Sequence, residues 1–290
     1  MASGPLLVRE LDLVRRLLPY LSVAGGDLLI GPGQDDAAAW RMPDGTYVVA
    51  TCDTSVEGVH FDLARQSPEA VGWRALCFAL GDLAAKGAAP TFGLVSLSMP
   101  RRWPVDVAIR IYGGLSGLAG EVGLRLVGGD TTTAPNDGSL TLTVLGSTRL
   151  APQPRSAVQP GWIVGVSGPL GAASQAWEQP RPRLGLGAEL ASAGLCCGDI
   201  SDGLLMEMDK FAAAAGVGAR IRLDAVPRAE GASPEQAVAS GEEVELVCCG
   251  PELPAGLHPV GELTAESRVV LLNGEGREVE VGSRGYDHFA

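Results

Sequence analysis

The sequence has no Cys-x-x-Cys, no Gly-x-x-x-x-Gly-Lys-Ser/Thr, no protein-kinase catalytic-loop motif and no run of 18 apolar residues. The first absence removes zinc-finger spacing, the second and third remove the P-loop and protein-kinase devices for phosphate, and the fourth removes a membrane-spanning helix. Positive charge is also scarce. Lys and Arg number 22 against 34 Asp and Glu, a formal net charge of −12, which disfavours nucleic acid and anionic membranes as partners. Of six cysteines, four form the adjacent pairs Cys196-Cys197 and Cys248-Cys249 in apolar, strand-like surroundings, as buried free thiols do. With no leader-like opening, the expectation is a reduced, cytoplasmic protein.

At 290 residues the chain can build two domains. Glycine is abundant, 40 of 290, and falls in turns and beside acidic residues rather than in a repeat. Apolar spacing predicts a helix over 6–18, and Ser67-Pro68-Glu69 predicts another from there to about Gly87. On that helix Val71, Ala75, Phe78 and Asp82 share one face, so a carboxylate sits on an apolar stripe. Strands are expected at 46–53, 92–99, 124–127 and 140–148, with a helix at 104–122. After a Pro- and Gly-rich linker from Ala151 to Gly161, strands are expected at 162–167, 219–223, 244–249, 268–272 and 278–281. The last two are joined by Asn273-Gly274-Glu275-Gly276. Gly168-Pro169-Leu170-Gly171 is read as opening a short helix; further helices are expected after Gly203 and at Ser233-Pro234-Glu235. Irregular alternation favours an α+β fold of two domains, 1–149 and 150–290.

Five acidic motifs punctuate this pattern: Gly-Gln-Asp-Asp-Ala at 33–37, Thr-Cys-Asp at 51–53, Gly-Asp-Leu-Ala at 81–84, Gly-Gly-Asp-Thr-Thr at 128–132 and Asp-Ile-Ser-Asp-Gly at 199–203. Bare carboxylates among small residues suit a hard cation that also binds phosphate. Two converging carboxylates about 5 Å apart repel by roughly 3 kcal/mol at an effective dielectric near 20. A cluster therefore implies metal or raised pKa values. Taken singly, each motif also reads as a turn or a helix cap.

As an ordered set the motifs resemble thiamine-monophosphate kinases, within the superfamily of aminoimidazole ribonucleotide synthetase and selenophosphate synthetase. Thr51-Cys-Asp-Thr-Ser-Val-Glu-Gly-Val-His-Phe61, Gly241-Glu-Glu-Val-Glu-Leu246 and Gly285-Tyr-Asp-His-Phe289 extend the match from about Gly31 to Phe289. The resemblance implies transfer of the ATP γ-phosphoryl group to thiamine monophosphate, several Mg2+ ions, an N-terminal mixed α/β domain whose sheet pairs in a homodimer, and a C-terminal α/β sandwich domain. It places Asp36, Thr51, Cys52, Asp53, Asp82, Asp130, Asp199 and Asp202 at magnesium. Tyr112, Gly129, Asp130, Arg155 and Ser201 fall to ATP, and His60, Glu242 and Tyr286 to thiamine phosphate. No general base is implied, since the acceptor phosphate oxygen is already anionic.

The chain departs from the pattern at Gln34 before the Asp pair, at Cys52, at Ala79 and Gly81 ahead of Asp82, at Thr133 and at Glu243-Val244. It is also short over 172–187. A thiol is a poor magnesium ligand. Two alternatives stand beside the kinase reading: another ATP-using enzyme of the superfamily, and a non-catalytic nucleotide-binding relative.

Overall fold

The computed structural model describes residues 10–21, 26–171 and 179–289. The first half runs α1 (Glu10–Leu17), β1 (Leu28–Ile30), β2 (Ala38–Arg41), β3 (Tyr47–Val56), α2 (Pro68–Ala85), β4 (Ala89–Pro100), α3 (Val105–Val122), β5 (Arg125–Ala134) and β6 (Ser139–Thr148). These strands make one sheet in the order β1-β2-β3-β6-β4-β5, parallel only between β4 and β5. Period-two burial shows which face is covered. Leu140, Leu142 and Val144 of β6 are buried with Val95 and Leu97 of β4 against Leu76, Leu80 and Leu83 of α2, and α3 packs on α2. The intervening Thr141, Thr143 and Leu145 point the other way.

The second half runs β7 (Ile163–Val166), α4 (Leu184–Ser192), β8 (Cys196–Asp199), α5 (Leu204–Ala215), β9 (Gly218–Arg222), α6 (Pro234–Ala239), β10 (Leu246–Gly250), β11 (His258–Thr264), β12 (Val269–Leu272) and β13 (Glu278–Val279). Its sheet has the order β13-β12-β9-β11-β7-β10-β8, with only β9 and β12 parallel. Leu204, Leu205, Met208 and Phe211 of α5 cover one face. The other is covered by Leu190 of α4 and by Ala84 and Ala85 of α2. Helix α2 is thus gripped by both sheets, which explains why it is apolar almost all round. No helix of the described residues is long and apolar enough to cross a membrane.

The α2 start is as the sequence predicts: Ser67 Oγ accepts from the Ala70 amide at 3.2 Å, and Pro68 follows it. Ser233 and Gln236 close a reciprocal capping box at α6. Three expectations change. Gly128–Thr132 is not a strand end but the middle of β5, because the chain stays paired with β4 through a register shift between Gly93 and Leu94. Helix α4, where no helix was expected, forms because its Leu190 is buried against α2 and β8. Strands β8 and β11 appear where only short apolar runs mark them. The N-terminal part of the 6–18 helix, and the helix expected after Gly171, lie outside the described residues.

Candidate active site

Four segments converge where the sheets meet α2. Strand β3 alternates, so Thr51 and Asp53 face α2 while Cys52 faces away. Thr51 is buried and its hydroxyl donates to the Asp82 carboxylate. The turn at 33–36 brings in Asp35 and Asp36, and β8 ends on Asp199. One oxygen each from Asp36, Asp82 and Asp199 lies within 4.8 Å of the others. These carboxylates open into a cleft of about 630 Å³ that Asp53, Ser201 and Asp202 also line.

The electrostatics follow from that crowding. Burial, followed by the neighbouring Asp199 and Asp36, pushes Asp53 up to about 7. Asp82 and Asp199 lie well above the usual carboxylate range, first through burial and then, for Asp82, through Asp53 and, for Asp199, through Asp82. Asp36 goes the other way: burial would raise it, but Arg155 and Lys210 hold it well below the ordinary value. Without a cation, then, the group keeps protons on buried carboxylates. A hard divalent ion removes the need for them, and the all-oxygen donor set fits such an ion.

The far wall of the cleft is aromatic and histidine-rich. His60 Nδ1 accepts from the Val56 amide at 3.1 Å, which leaves the proton of the neutral ring on Nε2. Burial and His288 hold its pKa below the ordinary value. The His60 and His288 ring centroids are 5.0 Å apart, and Tyr286 meets His288 edge-on at 4.8 Å. The C-terminal segment is pinned there by the Tyr286 amide donating to the Asp202 carbonyl at 2.9 Å. Glu242 sits at φ +55°, a left-handed conformation that costs a non-glycine residue. Its carboxylate is held by Arg74 Nη2 at 2.6 Å.

Of the residues singled out from sequence, Asp36, Cys52, Asp53, His60, Asp82, Asp199, Ser201, Asp202, Glu242 and Tyr286 line this one cleft. The others do not. Thr51 is an anchor for Asp82 rather than a wall residue. Cys52 borders the cleft, but its thiol accepts from Thr143 Oγ1 at 3.5 Å on the opposite face of the sheet, so it is not among the converging donors. Arg155 is buried, its guanidinium held by Asp36 and, at 2.7 Å, by Glu207. It orients Asp36 and has no free face for a nucleotide. Gly129 and Asp130 lie on β5, three strands from Asp53 through the register Asp53–Leu142–Val95–Gly129, or about 14 Å. Asp130 pairs with Ser96 on the face away from α2 and is exposed. Tyr112 is exposed on α3.

Sequence reasoning missed Lys86, Arg74, Glu207, Lys210 and His288. Lys86 Nζ is buried and reaches Asp35 at 2.6 Å and the Cys197 carbonyl at 2.9 Å. A lysine at the end of an apolar helix was a readable signal for it. Glu207 and Lys210 are spaced i, i+3 on α5 just after the Asp-Ile-Ser-Asp-Gly motif, which was the signal for that pair.

A sequence profile described as "AIR synthase related protein, N-terminal domain" matches residues 34–148. Thiamine-monophosphate kinase of Escherichia coli (strain K12) is 30% identical over 327 residues, covering 97% of this chain and 98% of the relative. That of Mycobacterium tuberculosis (strain ATCC 25618 / H37Rv) is 32% identical over 280 residues, covering 86% and 83%. Among solved structures, AaThiL complexed with AMPPCP and TMP matches over 100% of both chains with a TM-score of 0.84 at 24% identity, a likeness of fold.

Proposed function

The chain belongs to the thiamine-monophosphate kinase family, and we propose that it transfers the γ-phosphoryl group of ATP to thiamine monophosphate, giving ADP and thiamine diphosphate. The observation that carries this reading is the meeting, in one cleft, of an oxygen-rich carboxylate group with a histidine and tyrosine wall. An acceptor phosphate oxygen attacks the γ-phosphorus while the bond to the bridging β,γ-oxygen breaks. That acceptor is already an anion, so no residue need remove a proton, and catalysis is positioning plus charge neutralisation. Asp36, Asp82 and Asp199 would hold Mg2+, with Asp53 beside them. When bound, the ion neutralises phosphate charge and aligns the two phosphates. Arg155 and Thr51 fix the Asp36 and Asp82 carboxylates that would face the ion. Thiamine carries a cationic thiazolium ring, and the wall of His60, Tyr286 and Glu242 offers ring faces and a carboxylate for it.

The same reading assigns 1–149 and 150–290 to two domains, one around each sheet, and pairs two chains through the first sheet. Phe92, Leu94 and Val127 are large apolar side chains left 38%, 42% and 56% exposed on β4 and β5, more than a solitary sheet face needs. Pairing there would let Gly129 and Asp130, remote from their own cleft, serve the nucleotide in the partner's. Six free cysteines among the described residues fit the reducing cytoplasm.

The test is direct: purified protein with ATP, Mg2+ and thiamine monophosphate should yield thiamine diphosphate, detected by chromatography with fluorescence after oxidation to the thiochrome. ATP consumption without that product would refute the substrate assignment.

A further inference from the structure

Lys210 is the one Lys or Arg lining the cleft among the described residues, facing seven carboxylates. Its ammonium is tethered from below by Glu207, fully buried, at 2.6 Å, and bonds Asp202 Oδ2 at 2.7 Å. Glu207 is itself locked, since its other oxygen accepts from Arg155 Nη2 at 2.7 Å. The lysine side chain is 15% exposed and Asp202 19%. These bonds use two of the three ammonium donors, so the third is available to the cleft. Asp202 does not join the close group of Asp36, Asp82 and Asp199 oxygens. Its charge is met by lysine.

We propose that Lys210 is a phosphate-binding residue which takes, at Asp202, the place a divalent cation would otherwise fill, so that Asp202 is a lysine partner and not a metal ligand in this chain. The inference rests on the kinase reading for the identity of the phosphates but not for the metal count. A polyphosphate entering a cleft with this acidic lining needs positive charge there. The Asp36–Asp82–Asp199 group would recruit part of it as metal, and α5 brings the rest as a fixed ammonium at Asp202. An ammonium is a point charge that contacts phosphate without the octahedral demands of Mg2+. Because Glu207 and Lys210 lie one turn apart on the same helix face, the charge is in place before substrate arrives.

The test counts Mn2+ bound to the full chain by electron paramagnetic resonance, with a non-hydrolysable ATP analogue present, and measures KM for ATP in parallel. Lys210→Met should bind one more Mn2+ than the wild type and raise KM for ATP by about tenfold or more, as loss of a charge-assisted hydrogen bond does. Lys210→Arg should keep the wild-type count and most of the affinity. Asp202→Asn should leave the count unchanged, and Lys210→Met/Asp202→Asn should return the extra ion to solution. If Asp202→Asn alone loses an ion, or if Lys210→Met changes neither count nor KM, the inference is overturned. Should Lys210→Met fail to fold, the near-isosteric Asp202→Asn count decides. Failure of the wild type to form thiamine diphosphate would sink the reaction assignment while leaving the Mn2+ counts to judge Lys210.

Discussion

Lys86 ties together the three segments that carry the converging carboxylates. It lies one turn beyond Asp82, capping the end of α2, it bonds Asp35 next to Asp36, and it bonds the Cys197 carbonyl two residues before Asp199. Both members of its ion pair are 1% exposed. Removing Lys86 leaves the buried Asp35 carboxylate only the Arg155 amide at 3.0 Å and its guanidinium at 3.9 Å, so Lys86→Met should lower the unfolding free energy by about 3 kcal/mol. Urea denaturation measures this, and a loss below about 1 kcal/mol would contradict the role. Asp53 gives a second expectation. Its folded-state value of about 7 lies above the 3.8 of a free carboxylate, so the metal-free fold binds a proton that the unfolded chain releases. That stabilisation is fully present below 3.8 and is lost as pH rises through about 7. A divalent ion competes with the proton. The Mg2+-induced rise in melting temperature should therefore be larger at about pH 8 than at about pH 5.5, and an equal rise would count against the cluster. At this scale the acidic motifs were legible, because small residues around a carboxylate mark a close approach. The presence of Lys86 at the end of an apolar helix was legible too, but its partner was not, because a pairing as distant in sequence as Lys86 with Asp35 has no local spacing to reveal it.

Helix α2 crosses α3 at a glycine on each. A Cβ on Gly72 would overlap the Ile111 carbonyl, and one on Gly114 would overlap the Glu69 carbonyl. Gly72→Ala should therefore cost about 1–3 kcal/mol by overpacking, although alanine is the better helix former. A gain in stability, read by urea denaturation, would show that the helices have room. The elements with strong local signals were readable: α2 and α6 from Ser-Pro-Glu starts, and the β12–β13 hairpin from its Asn-Gly turn. Strand β8 carries Cys-Cys-Gly and is buried along its whole length, so it shows no alternation to read, whereas β10 was expected at 244–249 from its apolar run. The extension of β5 through Gly128 and Gly129 was hidden because paired glycines ordinarily end a strand, whereas here the parallel neighbour β4 holds them.

At the scale of the molecule, two sheets share one apolar helix, and the cleft forms where loops from both meet it. The order of motifs in the sequence foretold which carboxylates assemble, but not that Asp130 stands about 14 Å away across the first sheet. That separation is what the paired-sheet proposal resolves. Leu94→Asp should turn a dimer into a monomer in sedimentation velocity and reduce turnover with it. A wild type that sediments as a monomer at working concentration would remove the proposal. Phosphoryl transfer from ATP to thiamine monophosphate at the carboxylate cleft is followed with γ-labelled ATP in the wild type and in Asp82→Asn, with melting curves on both. Label should appear in thiamine diphosphate for the wild type and at least about a hundredfold less for the folded variant. Label appearing only in inorganic phosphate, or undiminished transfer by Asp82→Asn, would contradict it.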